Sequence, residues 1–160
     1  MTFLWEPNSA NYGSSKRILT HVFQNHYNGP FGSKDAMIPY KTNIEYNLDH
    51  RCVSLQNWAQ DQADTQVNKE NVIVLYGDDF TFENSFMSYK YLERLINYCN
   101  KKQTSNMSFK LSTPGRYIDA LNKEPKVSWP VVKNQDFLPY AKSHMIFWSG
   151  YYSSRPGFKK

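Results

Sequence analysis

Apolar and polar positions follow one another along this chain in blocks of two kinds, and the alternation predicts its elements. Thr2–Trp5 is a short apolar run with strand character. From Pro7 to His50 the pattern dissolves into Asn, Gly, Ser, Tyr and Pro, with turn signals at Asn28-Gly29-Pro30 and Gly32-Ser33. A connection this long inside a compact domain is functional more often than idle. Ser54–Val67 reads as a polar helix. Asn71–Tyr76, N-V-I-V-L-Y, is the continuous β-branched run of a strand covered on both faces. Over Glu83–Lys101 the residues Phe86, Tyr89, Leu92, Ile96 and Cys99 recur at helical spacing and predict one apolar face. Met107–Leu111 is a further strand candidate. Thr113 is placed to cap a short helix with Pro114 at its first position, and Tyr117, Ile118 and Leu121 supply its apolar stripe. Val127–Val132 is a last extended segment. Strand, helix, strand, helix, strand at these spacings predicts an α/β protein with a parallel sheet.

Composition narrows this only a little. The 160 residues suffice for one domain with a real core, and 40% hydrophobic with 16% aromatic residues is a globular composition. No apolar run approaches membrane-spanning length, and Met1–Trp5 shows neither the basic nor the apolar part of a signal peptide. The net charge of +5 is scattered. Its dense pairs are Lys16-Arg17, Lys101-Lys102 and Lys159-Lys160, and no stripe interleaves base with aromatic, so most of it reads as solvated surface; no nucleic-acid or membrane partner is expected, with a non-catalytic sugar-binding module and a basic nucleic-acid-binding domain as the alternative readings. Cys52 and Cys99 lack the spacing of a zinc site. Cys99 falls on the apolar face of its helix and reads as a small buried hydrophobe. Asn106-Met107-Ser108 is a glycosylation tripeptide in a segment that reads as strand.

The chemistry concentrates in Val127–Pro156. There one carboxylate, Asp136, stands among Trp129, Phe137, Tyr140, Phe147, Trp148, Tyr151 and Tyr152. Aromatic faces stack on the C–H edges of sugar rings, and an acid in apolar surroundings gains the raised pKa that a general acid needs. The same residues also describe a core loop with one solvent-facing Asp. A second acidic candidate, Gly77-Asp78-Asp79-Phe80, directly follows the Asn71–Tyr76 run. Asp79 reads either as a polar contact at the rim of a site or as an acid favoured by the dipole of the following helix, and Asp78 as surface.

Gln135-Asp136-Phe137-Leu138-Pro139-Tyr140-Ala141 and Phe147-Trp148-Ser149-Gly150-Tyr151-Tyr152-Ser153-Ser154-Arg155-Pro156 resemble glycoside hydrolase family 38, the retaining α-mannosidases. Phe3-Leu4-Trp5, Thr20-His21-Val22, Asn25-His26-Tyr27, Gly77-Asp78-Asp79-Phe80 and Ser112-Thr113-Pro114 match the family in the same order. The resemblance implies part of a seven-stranded parallel β/α barrel, with chemistry at the ends of its strands. It implies hydrolysis of terminal α-mannose from glycans with retention, through a covalent mannosyl-enzyme. Asp136 takes the acid/base role, Phe137 and Trp148 wall the sugar site, and Asp79 lies near its rim. The family's nucleophilic Asp is expected upstream of Phe3-Leu4-Trp5, so residues 1–160 by themselves are expected to be inactive. The family's zinc is held by a His-x-Asp pair, that nucleophile and a distant His. No His-x-Asp exists among His21, His26, His50 and His144, and no metal ligand is assigned here. Lysosomal members carry a short-range disulfide near Cys52, whose partner position near Asn47 holds no cysteine, so that bridge is expected to be absent. The implied setting is the lysosome, vacuole or another secretory compartment. Glu6 stands where the family has Arg, and Lys142 where it has an acid; both departures are expected to weaken activity.

Overall fold

A computed structural model describes residues 1–24, 26–30, 44–77, 79, 82–83, 85–102, 105–124, 127–135 and 140–160. The chain forms two compact units. One comprises Met1–Phe3 and Thr20–Pro130, the other Leu4–Leu19 and Val131–Lys160.

The larger unit is built on two long helices, α2 (Ile44–Asp64) and α3 (Ser85–Lys102); α1 is the single turn Ser9–Tyr12 of the other unit. Helix α2 begins ten residues before the predicted Ser54, inside what reads as an irregular connection. The reason lies in its seam: Leu48, Cys52, Leu55, Ala59 and Ala63 recur at helical spacing and are buried. Only tertiary packing turns so polar a stretch into a helix with one dry face. Helix α3 forms as predicted but is rotated from the expected face. Ser88, Leu92, Leu95 and Cys99 are buried, whereas Phe86 and Tyr89 are exposed. The core of this unit is Leu48, Cys52, Leu55, Leu95 and Cys99, with Val74, Tyr91, Tyr98 and Phe109 packed against it. Each fully buried leucine there contributes about 2 kcal/mol by leaving water. Cys52 and Cys99 are joined as a disulfide between the two helices, with their Cα atoms 5.5 Å apart. This corrects the expectation that Cys52 is unpaired and Cys99 only a hydrophobe. The bridge closes a 47-residue separation rather than a short local one.

Helix α4 (Pro114–Lys123) matches its sequence signals closely. The Thr113 hydroxyl accepts from the Arg116 N–H, Pro114 opens the helix, and Tyr117 and Leu121 are buried. The predicted strands 71–76 and 107–111 form no ladder among the described residues. Residues 71–77 are half-buried throughout, not covered on both faces. A strand exists only through its partners, and the described residues bring none alongside. Gly29 instead lies so close to this segment that a Cβ would come within 2.4 Å of the Leu75 carbonyl oxygen, so only glycine fits.

Strands β1 (Thr2–Glu6), β2 (Ile18–His21) and β3 (Val131–Lys133) are ordered β2-β1-β3. β1 and β3 run parallel, with Leu4, Trp5 and Glu6 opposite Val131, Val132 and Lys133. β3 is therefore shorter and starts later than the predicted Val127–Val132. A small antiparallel pair, β4 (Ala141–Ser143) and β5 (Ile146–Phe147), and the turn of helix α5 (Gly150–Ser153) complete the second unit. No helix among the described residues is long and apolar enough to cross a membrane.

Candidate functional site

Parallel pairing of β1 with β3 carries the chain toward Asp136. Where the strands end, the Asn134 N–H donates to the Glu6 carbonyl at 3.0 Å. Asn134 then takes a left-handed conformation, φ 51°, which Asn tolerates better than most side chains. Its Oδ1 accepts from the Ser9 N–H at 3.0 Å and the Ser9 hydroxyl at 2.8 Å. The next carbonyl, that of Gln135, accepts the Trp5 indole N–H at 2.8 Å. Asn134 is thus held by side chain and backbone, and Gln135 by its backbone carbonyl. Asp136 and Phe137 themselves, like Asp78, lie outside the described residues.

The Glu6 side chain is buried in this region. Its carboxylate meets the Arg17 guanidinium at 2.9 Å and the Lys133 ammonium at 4.0 Å. A buried carboxylate is tolerable only when its charge is answered, and here two cations answer it. The acid that stands where the resemblance implies a base is therefore not a stray charge but the centre of an ion cluster at the strand ends. Lys142, the other departure, sits exposed on β4.

Trp148 is brought to two other aromatic rings. It meets Tyr140 edge-on at 5.5 Å and stacks on Tyr151 at 5.7 Å with 23° between the planes. The Trp148 N–H donates to the Tyr140 carbonyl at 2.8 Å, which fixes the pair along the backbone. All three rings are substantially exposed, and Trp148, Gly150, Tyr151 and Ser154 line a shallow depression. Exposed rings held in a stack present the flat apolar faces that sugar C–H edges require. The Lys159 ammonium lies 5.9 Å from the Tyr151 ring centre.

In the larger unit Asp79 accepts the Tyr27 hydroxyl at 2.9 Å. Two separate matching blocks, Asn25-His26-Tyr27 and Gly77-Asp78-Asp79-Phe80, thereby meet. Sequence reasoning did not give Tyr27, Ser9 or Asn134 a role. The available signal was an Asn one residue after the Val131-Val132 pair, a residue type suited to a left-handed strand end.

His21 belongs to a different environment from a metal ligand. Its Nδ1 lies 2.8 Å from the Thr2 hydroxyl, and its ring packs against Phe23 and Tyr117. Gln66 Oε1 accepts from Thr2 and Tyr117 in the same buried group. Burial, aided by the nearby Met1 ammonium, lowers the His21 pKa to about 4. Unfolded, His21 binds its proton near the ordinary 6.5, so the unfolded chain holds more protons between those values. Stability is therefore lost as pH falls from about 6.5 to about 4. The expected loss is of the order of 1 kcal/mol, reduced by the half of the ring that stays near solvent. Urea midpoints taken across that window should fall for the native chain and stay flatter for His21→Gln. A native midpoint no more pH-sensitive than the variant's would sink this assignment.

Among the described residues no group of three or more His, Cys, Asp or Glu comes together as a metal would need. The described residues do not form the donor set that the resemblance implies for zinc.

Comparison with known proteins names the group. The N-terminal domain of the glycosyl hydrolases family 38 matches residues 1–143, and the chain belongs to that family. It is 34% identical to an alpha-mannosidase of Arabidopsis thaliana over 98% of its length, covering 16% of that protein. It is 32% identical to the lysosomal alpha-mannosidase of Bos taurus and 31% to that of Homo sapiens, each over the whole chain and covering 17% and 16% of those proteins. The chain thus spans about a sixth of the length of these relatives. No solved structure gives a significant match.

Proposed function

We propose that this chain supplies the acid/base portion of a retaining α-mannosidase site in a parallel β/α barrel, acting on terminal α-mannose of glycans in a lysosomal or vacuolar setting. The carrying observation is the β1–β3 strand end, where Glu6, Ser9 and Trp5 hold Asn134 and Gln135 immediately before Asp136. In this reading Asp136 protonates the leaving oxygen, and then deprotonates the water that hydrolyses the mannosyl-enzyme. Phe137 and Trp148 border the sugar, and Asp79, oriented by Tyr27, offers a polar contact. The attacking carboxylate comes from outside residues 1–160. A second reading, glycan binding without hydrolysis, is favoured by the exposed Trp148–Tyr151 stack alone.

Both readings are tested by placing Thr2–Lys160 in the corresponding stretch of a family relative. The expected result is hydrolysis of an aryl α-mannoside, with α-mannose as the first product by NMR. A folded chimera that quenches Trp fluorescence with mannosides yet hydrolyses none would favour the binding module. The β anomer as first product would exclude retention.

A further inference from the structure

We infer that Asn106 is an acceptor for N-linked glycan, a covalent modification independent of the role of Asp136. Asn106-Met107-Ser108 is the single Asn-x-Ser/Thr tripeptide in the chain, with Met rather than Pro at its centre. The sequence pattern alone places it in a strand, where paired neighbours would hinder a bulky group. The structure places Asn106 in a bend beyond the end of α3 instead.

Exposure alternates along this bend. Ser105, Met107 and Phe109 are half-buried, whereas Asn106, Ser108 and Lys110 are exposed. The inward residues are anchored. The Ser105 hydroxyl accepts from the Gln56 side chain at 3.0 Å. The Phe109 N–H and C=O both bond to the Asn100 amide at 2.8 Å, and the Phe109 ring packs on the core. The anchors leave Asn106 and Ser108, the two positions that define an acceptor, outward together. Among the described residues no hydrogen bond engages either side chain. A glycan at Asn106 therefore displaces no side-chain hydrogen bond among the described residues.

The second, independent observation is redox. Cys52–Cys99 ties α2 to α3, and α3 ends at Lys102, four residues before Asn106. Disulfides form and persist in oxidising compartments, which are those where oligosaccharide is transferred to Asn. In the transfer the Asn106 amide nitrogen bonds to the anomeric carbon of a lipid-linked oligosaccharide diphosphate. The bond from that carbon to the diphosphate oxygen breaks, the lipid diphosphate leaves with the electron pair, and the nitrogen gives up one proton.

The test is secretion of the full chain from a eukaryotic cell behind a cleavable leader, with a C-terminal tag carrying a proven acceptor site. Glycan on the tag reports entry into the lumen. The native chain should then carry two glycans. Peptide amidase in heavy-oxygen water should convert Asn106 to Asp with the isotope incorporated. Asn106→Gln and Ser108→Ala should each remove one glycan, while Ser108→Thr should keep it. A glycosylated tag beside an unmodified Asn106 overturns the inference, as does a second glycan that survives Asn106→Gln.

Discussion

In the chimera that hydrolyses mannosides, Asp136→Ala should cost about a hundred- to ten-thousand-fold in kcat/KM on a substrate with a poor leaving group. It should cost far less on an activated aryl mannoside. The difference follows from where the proton is needed. An alkoxide leaving group cannot depart unprotonated, whereas an acidic phenol can, so the first step on the activated substrate survives loss of the acid. The second step still lacks its base, and the mannosyl-enzyme should accumulate. Azide, which needs no deprotonation, should then raise turnover and yield a mannosyl azide. If Asp136 were only a loop residue, its loss would act through folding and lower both substrates alike. Equal losses without azide rescue would remove Asp136 from the mechanism and make Asp79 the carboxylate to test next.

How much of this was legible before the fold is best judged element by element. Helix α4 was read almost residue by residue, because its signals are local: a Thr cap, a Pro at the first position, and Tyr117 and Leu121 one turn apart. Helix α3 was found and its buried face half read: Leu92 and Cys99 are buried as expected, Phe86 and Tyr89 are not. Phe86 and Tyr89 fit an apolar stripe by spacing, yet burial follows the Ser88–Leu92–Leu95–Cys99 line that meets α2. The first ten residues of α2 were missed because Ile44–Val53 is polar enough to read as loop. Its helicity depends on Leu48 and Cys52 finding α3. The run at 71–76 shows the reverse error. A β-branched sequence states a preference for extended backbone but cannot supply a partner strand.

The candidate site divides in the same way. The block around Trp148 was recognised from its residues, and the structure adds that its ring stacks on Tyr151. The ties that hold Asn134 are invisible in sequence, since Ser9 lies 125 residues away and Trp5 lies 130 from Gln135. The charge of Glu6 was read as a liability from its position alone. Its partners become neighbours only in the sheet: Lys133 when β1 pairs with β3, and Arg17, just before β2, when β2 lies beside β1.

Reduction of the Cys52–Cys99 bridge should have the largest effect on stability. Spacing could not foretell this pair: its cysteines sit on different helices and face each other only because α2 packs on α3. The link acts mainly on the unfolded chain. Closing a loop of 47 residues removes configurational entropy worth about 4 kcal/mol in the loop-closure treatment, less whatever structure the unfolded state retains. Both sulfurs are buried, so in the folded protein they should resist thiol reagents and mild reductant. In urea the oxidised chain should unfold at a midpoint about 2 M above that of the reduced chain, taking a slope of about 2 kcal/mol per M. The slope itself should rise on reduction, because an unfolded chain without the cross-link exposes more surface. Comparing oxidised with reduced native chain keeps core volume constant, which Cys→Ala variants would not. Intact mass after denaturation without reductant should be two hydrogens below that of the dithiol. Two thiols titrating at once in the unreduced, unfolded chain would show that the bond is not made. Equal urea midpoints with the bond present would show that α2 and α3 hold together through their leucine seam alone.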